Sequence, residues 1–259
     1  MAWDPEKYLK FSAERFQPFE DLCAMLDVRQ DLRVVDLGCG SGELTEKLAA
    51  LLPNCEMLGI DNSPEMLEKA KLNTGNSICY KCQTIEDFIE ETFSESGSGY
   101  DLIFSNAALH WVDDHNRIIP ALAKLLNPNG QILWQFPSGE RNPAHKYLAQ
   151  VATEEPYYSA LNGWEWHFPV LKVEQYAHLL HHVGAKTIEA VDRVYCHLLV
   201  NADAVYDFTA GTSMLPYLER MPRDLHQQFC DRYRELLRGH FVGSLVLFTF
   251  RRILISAKF

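Results

Sequence analysis

The stretch VVDLGCGSGELTEKLA, Val34 to Ala49, decides the fold. An apolar run ends in Asp36, glycines follow at 38, 40 and 42, and a segment of helical period begins at once. Branched apolar residues bounded by a glycine turn read as a buried strand. GELTEKLAALLP then places Leu44, Leu48, Leu51 and Leu52 on one face of a helix. Glycines between strand and helix let a ligand approach the backbone closely, and free N–H groups at the helix start suit an anion. The spacing is D-x-G-x-G-x-G, whereas a nicotinamide dinucleotide site uses G-x-G-x-x-G, whose wider curve fits a pyrophosphate. An acid placed just before the turn suits a cationic ligand group such as an amino acid ammonium.

Downstream, EMLGID reads as a second buried strand. It ends in Asp61, about 20 residues past the loop, where a carboxylate can accept both hydroxyls of a ribose. SPEMLEKAK opens a helix with Ser63 as N-cap and Pro64 at its first position. Further strands are predicted at SICYKC, YDLIFSN and GQILWQF, with a helix from Asp114 to Leu126 ended by NPNG. Alternating strand and helix predicts an α/β fold, a Rossmann-like doubly wound and mostly parallel sheet. After Pro137 the regularity fails, and two last strand candidates, KTIEAVDRVYCHLLV and SLVLFTFRRILISAK, bracket a helical insertion. The expected organisation is one domain over 1–259. Its core is 30–137 with 184–200 and 243–259, and a helical cap is assembled from 1–29, 138–183 and 201–242.

Composition narrows the partners. A net charge of −11 over 259 residues argues against nucleic acid, which needs a basic face. No apolar run reaches the roughly 18 residues of a membrane span, and the start lacks the apolar centre of a signal peptide. A cytoplasmic monomer or weak dimer without membrane association is expected. Seven cysteines, an odd number, point to reduced thiols. Cys79 and Cys82 form a C-x-x-C with no second ligand pair, and His178, His181 and His182 have no acids on their face, so no metal is expected.

A ligand with an amino acid end and a nucleoside end is S-adenosylmethionine. At DLGCGSG, GIDNSPEML and LIFSNAALHWVDD the chain resembles the class I S-adenosylmethionine-dependent methyltransferases. That resemblance implies a seven-stranded sheet and a cofactor site of Asp36, Gly38, Cys39, Gly40, Gly42, Asp61, Asn62 and Met66. Asn106 and Ala107 would pass the methionine end. Many relatives carry an Asp near the adenine amine where this chain has Gln83, Thr84 and Ile85. Tyr8, Phe11 and Arg15 share one helix face and are candidates to lid the cofactor.

YLKFSAER, NAALHW, NPNGQILWQFP, NPAH and FRRILISAK resemble the trans-aconitate methyltransferases, and PYLERMPRDLHQQF with LHWV resembles the insect juvenile hormone acid methyltransferases. Both likenesses imply methylation of a carboxylate; they disagree on whether the rest of the acid is polar or apolar. A carboxylate is already ionised at pH 7, so no dedicated base is expected. Candidates to position it are His110, Trp111, Gln135, His145, Arg251 and Arg252. The two arginines face opposite sides of a strand, so at most one serves the site. Where the trans-aconitate enzymes place an Arg before Pro-Trp, this chain has Met214 and Leu215, which points to a less charged acid; Trp164, Trp166, Phe168 and Tyr217 suit one. The alternatives are a methyltransferase of another small-molecule or carrier-bound acceptor, and a non-catalytic S-adenosylmethionine-binding protein.

Overall fold

The computed structural model describes residues 12–73, 78–94, 99–138, 142–210 and 213–259. β1 (Arg33–Leu37) lies between two parallel neighbours, β2 (Glu56–Asp61) and β4 (Tyr100–Asn106), with Val35 opposite both Leu58 and Ile103. β3 (Ile78–Cys82) continues the sheet beyond β2, and β5 (Leu126–Pro137) beyond β4, both parallel. Parallel pairs need crossovers. These are α2 (Glu43–Leu51), α3 (Pro64–Asn73), α4 (Ile85–Ser94) and α5 (His115–Ala123), preceded in the chain by α1 (Ser12–Cys23). β7 (Val246–Lys258) lies antiparallel on β5, and β6 (Thr187–Leu199) ends the order β3-β2-β1-β4-β5-β7-β6. The expected doubly wound, mostly parallel seven-stranded sheet is what the chain forms.

Strand alternation divides the core in two. Val34, Met57, Leu102, Phe104 and Leu133 pack toward Phe19 and Leu22 of α1 and Leu48 of α2. Val35, Ile60, Ile103, Trp134 and Phe136 pack on the other side, toward Phe88 of α4, Ile118 and Leu122 of α5, and Tyr176 and Leu180 of α8 (Val173–His182). Each fully buried aliphatic side chain contributes about 1.5–3 kcal/mol. Ser63 Oγ accepts from Met66 N at 3.3 Å, the expected N-cap, while Leu51, the last residue of α2, is 46% exposed and stands off the buried stripe.

The helix expected to run from Asp114 to Leu126 is shorter than the sequence suggests. The helix after Asp114 stops at Ala123, and NPNG lies inside β5, where it does not form a helix-ending turn. The register of β4 on β5 shifts there, from Tyr100 opposite Leu126 to Leu102 opposite Gln131, and Asn129 takes a φ of +65°. The bulge absorbs the turn-forming residues without ending the strand. β3 also carries Cys79 and Cys82 on opposite faces, about 10 Å apart at the strand rise, beyond disulfide reach.

The chain divides into two compact units. A sheet unit comprises Gln17–Ser138, Pro169–Arg193 and Arg252–Phe259; a helical unit comprises the described parts of Met1–Phe16, Gly139–Phe168 and Val194–Arg251. The helical unit holds α6 (Pro143–Ala152), α7 (Tyr157–Ala160), α9 (Ala202–Ala210), α10 (Leu215–Arg220) and α11 (Arg223–His240). It has its own core around Tyr157, Phe229, Tyr233 and Phe248. Asn142 caps α6 by accepting from Ala144 N at 2.8 Å, with Pro143 at its first position. No helix among the described residues is long and apolar enough to cross a membrane.

At the N-terminal end of the sheet, Gln131 is 1% exposed and fully used. Its Oε1 accepts from Asp27 N at 3.0 Å, and its Nε2 donates to Met25 O at 2.8 Å and Ser256 Oγ at 2.9 Å. This amide fastens the segment leading into β1 to β5 and β7. Gln131→Ala leaves the part-buried Asp27 N–H and Met25 carbonyl and the buried Ser256 hydroxyl without this partner, and urea unfolding is expected to show a loss of about 1–3 kcal/mol.

Candidate active site

The glycine turn after β1 is built from close approaches. Gly38 has a φ of +78°, Gly40 of +55° and Gly42 of +77°, all in the left-handed region that excludes most side chains. A methyl group at Gly38 would lie 2.1 Å from Ala108 Cβ, and one at Gly42 would lie 2.5 Å from Tyr80 Oη. A methyl at Gly40 meets nothing within 4 Å. The first and third glycines are therefore bare because protein fills the space beside them, and the second faces an open volume.

Strand ends converge on this turn. Gly38 N and Cys39 N both donate to Ile60 O, at 2.8 and 2.9 Å. Asp61 accepts from Gly40 N with Oδ2 at 2.9 Å and from Ser63 N with Oδ1 at 2.8 Å. Each carboxylate oxygen keeps a second lone pair for another donor. Cys39 is buried, and its thiol, pushed up by burial, stays neutral. Asn62 is exposed and Met66 half-buried on α3.

Asp36 is 3% exposed, and its Oδ2 accepts from Thr45 Oγ1 at 2.6 Å. Burial is the largest influence and pushes its carboxyl up to about 7; the Thr45 hydroxyl opposes that and Asp61 reinforces it. Thr45 was missed in the sequence. Its signal is a hydroxyl on the otherwise apolar face of α2, where it is wholly buried.

At the end of β4, Ala107 holds a φ of +57°, a strained value for a residue with a side chain. Its N–H donates to Gln135 O at 2.7 Å. Gln135, 2% exposed, donates from Nε2 to Asn106 Oδ1 at 2.7 Å, while its own Oε1 is buried with no partner. Residues directly opposite in neighbouring strands share a face. Asp36 pairs with Phe104, Asn106 with Gln135, and Pro137 with Arg252, so Asp36, Asn106, Gln135 and Arg252 all face one side of the sheet. Arg251 faces the other side and belongs to the helical unit.

Beyond Ala108, Leu109–Trp111 form a single 3-10 turn in which His110 is buried and Trp111 is 53% exposed. A second residue missed in the sequence braces this turn. His115 Nε2 donates to Leu109 O at 2.9 Å, its Nδ1 accepts from Tyr176 Oη, and that oxygen accepts from Leu171 N at 3.1 Å. Burial holds the His115 imidazole below its ordinary value, which keeps it in the neutral form that this chain of bonds requires.

Past β3, Gln83 aims both amide atoms, Nε2 and Oε1, into buried space without a hydrogen-bond partner. Thr84 caps α4 by accepting from Asp87 N at 3.0 Å, and Ile85 is buried among the core residues beside Phe88. In the helical unit, His145 Nε2 meets Ser213 Oγ at 2.7 Å, with Trp166 edge-on to its ring. Met214 is 3% exposed in that unit's core, close to Trp164 and Tyr217. Tyr8, Phe11 and the Arg15 side chain lie outside the described residues.

Two expectations follow for purified protein. Gly38→Ala is expected to cost about 3 kcal/mol in chemical unfolding, from backbone strain plus overlap with Ala108, whereas Gly40→Ala should cost only about 1–2 kcal/mol of strain. Asp36→Asn tests the buried acid. With a folded value near 7 and an ordinary value of 3.8, the native state holds the proton more tightly, so Asp36 lowers stability as pH rises from 4 to 7. The Asn variant should be more stable than the parent by about 2 kcal/mol or more at pH 8, with the difference vanishing near pH 4.

Residues 29–188 match the family model described as a methyltransferase domain. The chain is 35% identical to trans-aconitate 2-methyltransferase of Deinococcus radiodurans, over 99% of this chain and 98% of that one. It is 32% identical to the enzyme of the same name from Escherichia coli, at the same coverage of each chain. Among solved structures, the YcgJ protein of Bacillus subtilis superposes with a TM-score of 0.60 at 16% identity, covering 93% of this chain and 97% of that one. An S-adenosylmethionine-dependent methyltransferase from Mesorhizobium loti superposes with a TM-score of 0.51 at 19% identity and the same coverage. With the sheet order, the glycine turn and this likeness in agreement, the chain belongs to the methyltransferase family.

Proposed function

We propose that this enzyme transfers a methyl group from S-adenosylmethionine to a carboxylate of a small organic acid. The observation that carries the reading is the cradle around Gly40. It has an open flank at Gly40, a carboxylate at Asp61 with lone pairs to spare, and at Gln83 a buried amide with both a donor and an acceptor unused. A ribose diol fits the first acid, and the edge of an adenine, which both donates and accepts, fits an amide. The likeness over nearly the full length to enzymes named trans-aconitate 2-methyltransferase supports the acceptor class.

When bound, S-adenosylmethionine supplies an electrophilic methyl group on a sulfonium sulfur. Asp61 would hold the ribose hydroxyls, Gln83 the adenine, and Asn106 and Ala107 would border the methionine end. Asp36 would face its ammonium, whose charge favours the ionised carboxylate and so offsets the burial penalty. An acceptor carboxylate is ionised at pH 7, and no residue has to take a proton from it. The work left to the protein is to align an oxygen with the methyl carbon and to exclude water.

Arg252 is the cation suited to that alignment, because it shares a sheet face with Gln135 and Asn106, and Arg251 does not. His110 and Trp111 border the same strand end. Met214 is buried in packing, so no cation stands at that position, in keeping with an acid of lower charge than a tricarboxylate. All seven cysteines are free thiols, in keeping with a reducing cytoplasm.

The test is methyl transfer from labelled S-adenosylmethionine to a panel of acids, starting with trans-aconitate and medium-chain monocarboxylic acids. The expected product is alkali-labile, as an ester is. A base-stable product, or no transfer to any acid, overturns the reading. Arg252→Ala should raise the acceptor KM by about tenfold or more, the worth of a charge-assisted hydrogen bond, and Arg251→Ala should leave it near the parent value.

A further inference from the structure

The sheet's last strand, β6, and the half of β7 beside it carry a surface the methyl-transfer chemistry does not use. From Val194 to Val200 the strand alternates strictly. Tyr195, His197 and Leu199 are buried, and Phe250 stacks on Tyr195 at 5.5 Å and on His197 at 5.2 Å. Val194, Cys196, Leu198 and Val200 point the other way and are exposed. On β7 and just before it, Val246, Phe248 and Phe250 are buried while Val242, Leu245 and Leu247 are exposed.

Six large apolar side chains therefore stand in water on this strand pair and the residues that flank it: Val194 at 47% exposure, Leu198 at 69%, Val200 at 64%, Val242 at 79%, Leu245 at 60% and Leu247 at 57%. That is half of the twelve exposed large hydrophobics among the described residues. Apolar residues scattered singly need no explanation; a contiguous group on one face marks an interaction surface.

Two features of this surface identify the occupant. Between Val194 and Ala202 and between Phe241 and Phe250 there is no Asp, Glu, Lys or Arg. In a chain of net charge −11, this stretch lets two copies approach with little repulsion, and the cations beside it are Arg251, on the same face of β7 as Leu247, and Arg193, next to Val194. The area also suits. At roughly 100 Å² for each side chain, the area implied by the transfer energy of a Leu or Val, the six amount to about 600 Å² per copy. A pair then buries about 1,200 Å², the lower end of stable interfaces.

We propose that this enzyme forms a homodimer in which the β6–β7 ribbons of two copies pack face to face about a two-fold axis. The arrangement is isologous, so each copy offers Leu198 and Leu247 to the same residues of the other. Cys196, exposed between Val194 and Leu198, then lies close to its symmetry mate.

The test is sedimentation velocity of the full chain from about 1 to 100 µM, the range in which an interface of this size associates, together with the single variants Leu198→Lys and Leu247→Lys. Both side chains are exposed, so the variants should keep the parent's melting temperature. The expected result is a species of twice 29.7 kDa for the parent and a shift to monomer in both variants. Treatment with a short bismaleimide, followed by peptide mapping, should give a Cys196–Cys196 link in the parent. A parent that remains monomeric throughout overturns the proposal. So does a dimer that both variants leave intact. Monomer that binds neutral phosphatidylcholine vesicles, with binding lost in the variants, assigns the face to lipid and also overturns it.

Discussion

The contact between Gly38 and Ala108 is the constraint on which the rest of the sheet unit depends. Ala108 Cβ occupies the space a side chain at Gly38 would need, so the exits of β1 and β4 can close on one another only if position 38 is bare. Gly38 and Cys39 are tied to β2 through Ile60 O, and Gly40 is tied to it through Asp61. Three strand ends are thereby held within hydrogen-bond reach around a turn with one open side. The positive φ of Ala107 is the local strain of this closure, and it is tolerated because the Ala107 N–H bonds to Gln135 O and the next turn is braced by His115 and Tyr176.

The electrostatics of the site follow from the same packing. Asp36 sits in the buried stretch Val34–Leu37 of β1, where one hydroxyl from Thr45 is too little to solvate a carboxylate, and its carboxyl rises to about 7. Asp61, two bonds to backbone N–H groups and half-buried, stays a receptive acceptor. One acid is thus buried against a single hydroxyl and the other keeps lone pairs to spare, although the two lie close together near the ends of adjacent parallel strands. A buried acid without a permanent cationic partner makes the free protein less stable near neutral pH than its core alone would allow, the usual trade between a pre-organised site and stability.

The two units divide the remaining work. The sheet unit carries the glycine turn, Asn106, Gln135 and Arg252 on one face, and its order is set by parallel pairing. The helical unit is held by an aromatic core around Tyr157, Phe229 and Tyr233, with Trp164 beside Tyr217 and with Arg220 over Trp164 at 4.3 Å. β6 and β7, thirteen residues each, are divided between the two units, β6 after Arg193 and β7 after Arg251.

The sequence by itself determined the strands of the parallel half, the glycine turn and the two acids that flank it, while the order of those strands came from the tertiary structure. Those features are local: a run of Val and Leu, three glycines at positive φ in the turn, and an Asp at or next to the end of β1 and of β2. It also separated Arg251 from Arg252 by strand alternation, but not which of them shares a face with Gln135, because that depends on the register of β7 against β5. Tertiary structure alone decided the rest. NPNG reads as a helix stop, yet the pairing of Leu126 with Tyr100 carries the strand through it. Thr45 became the partner of Asp36, nine residues away, and His115 the partner of Tyr176, sixty-one residues away, only when helices packed on the sheet. No periodicity encodes such pairs, since each residue satisfies its own local pattern equally well without the other.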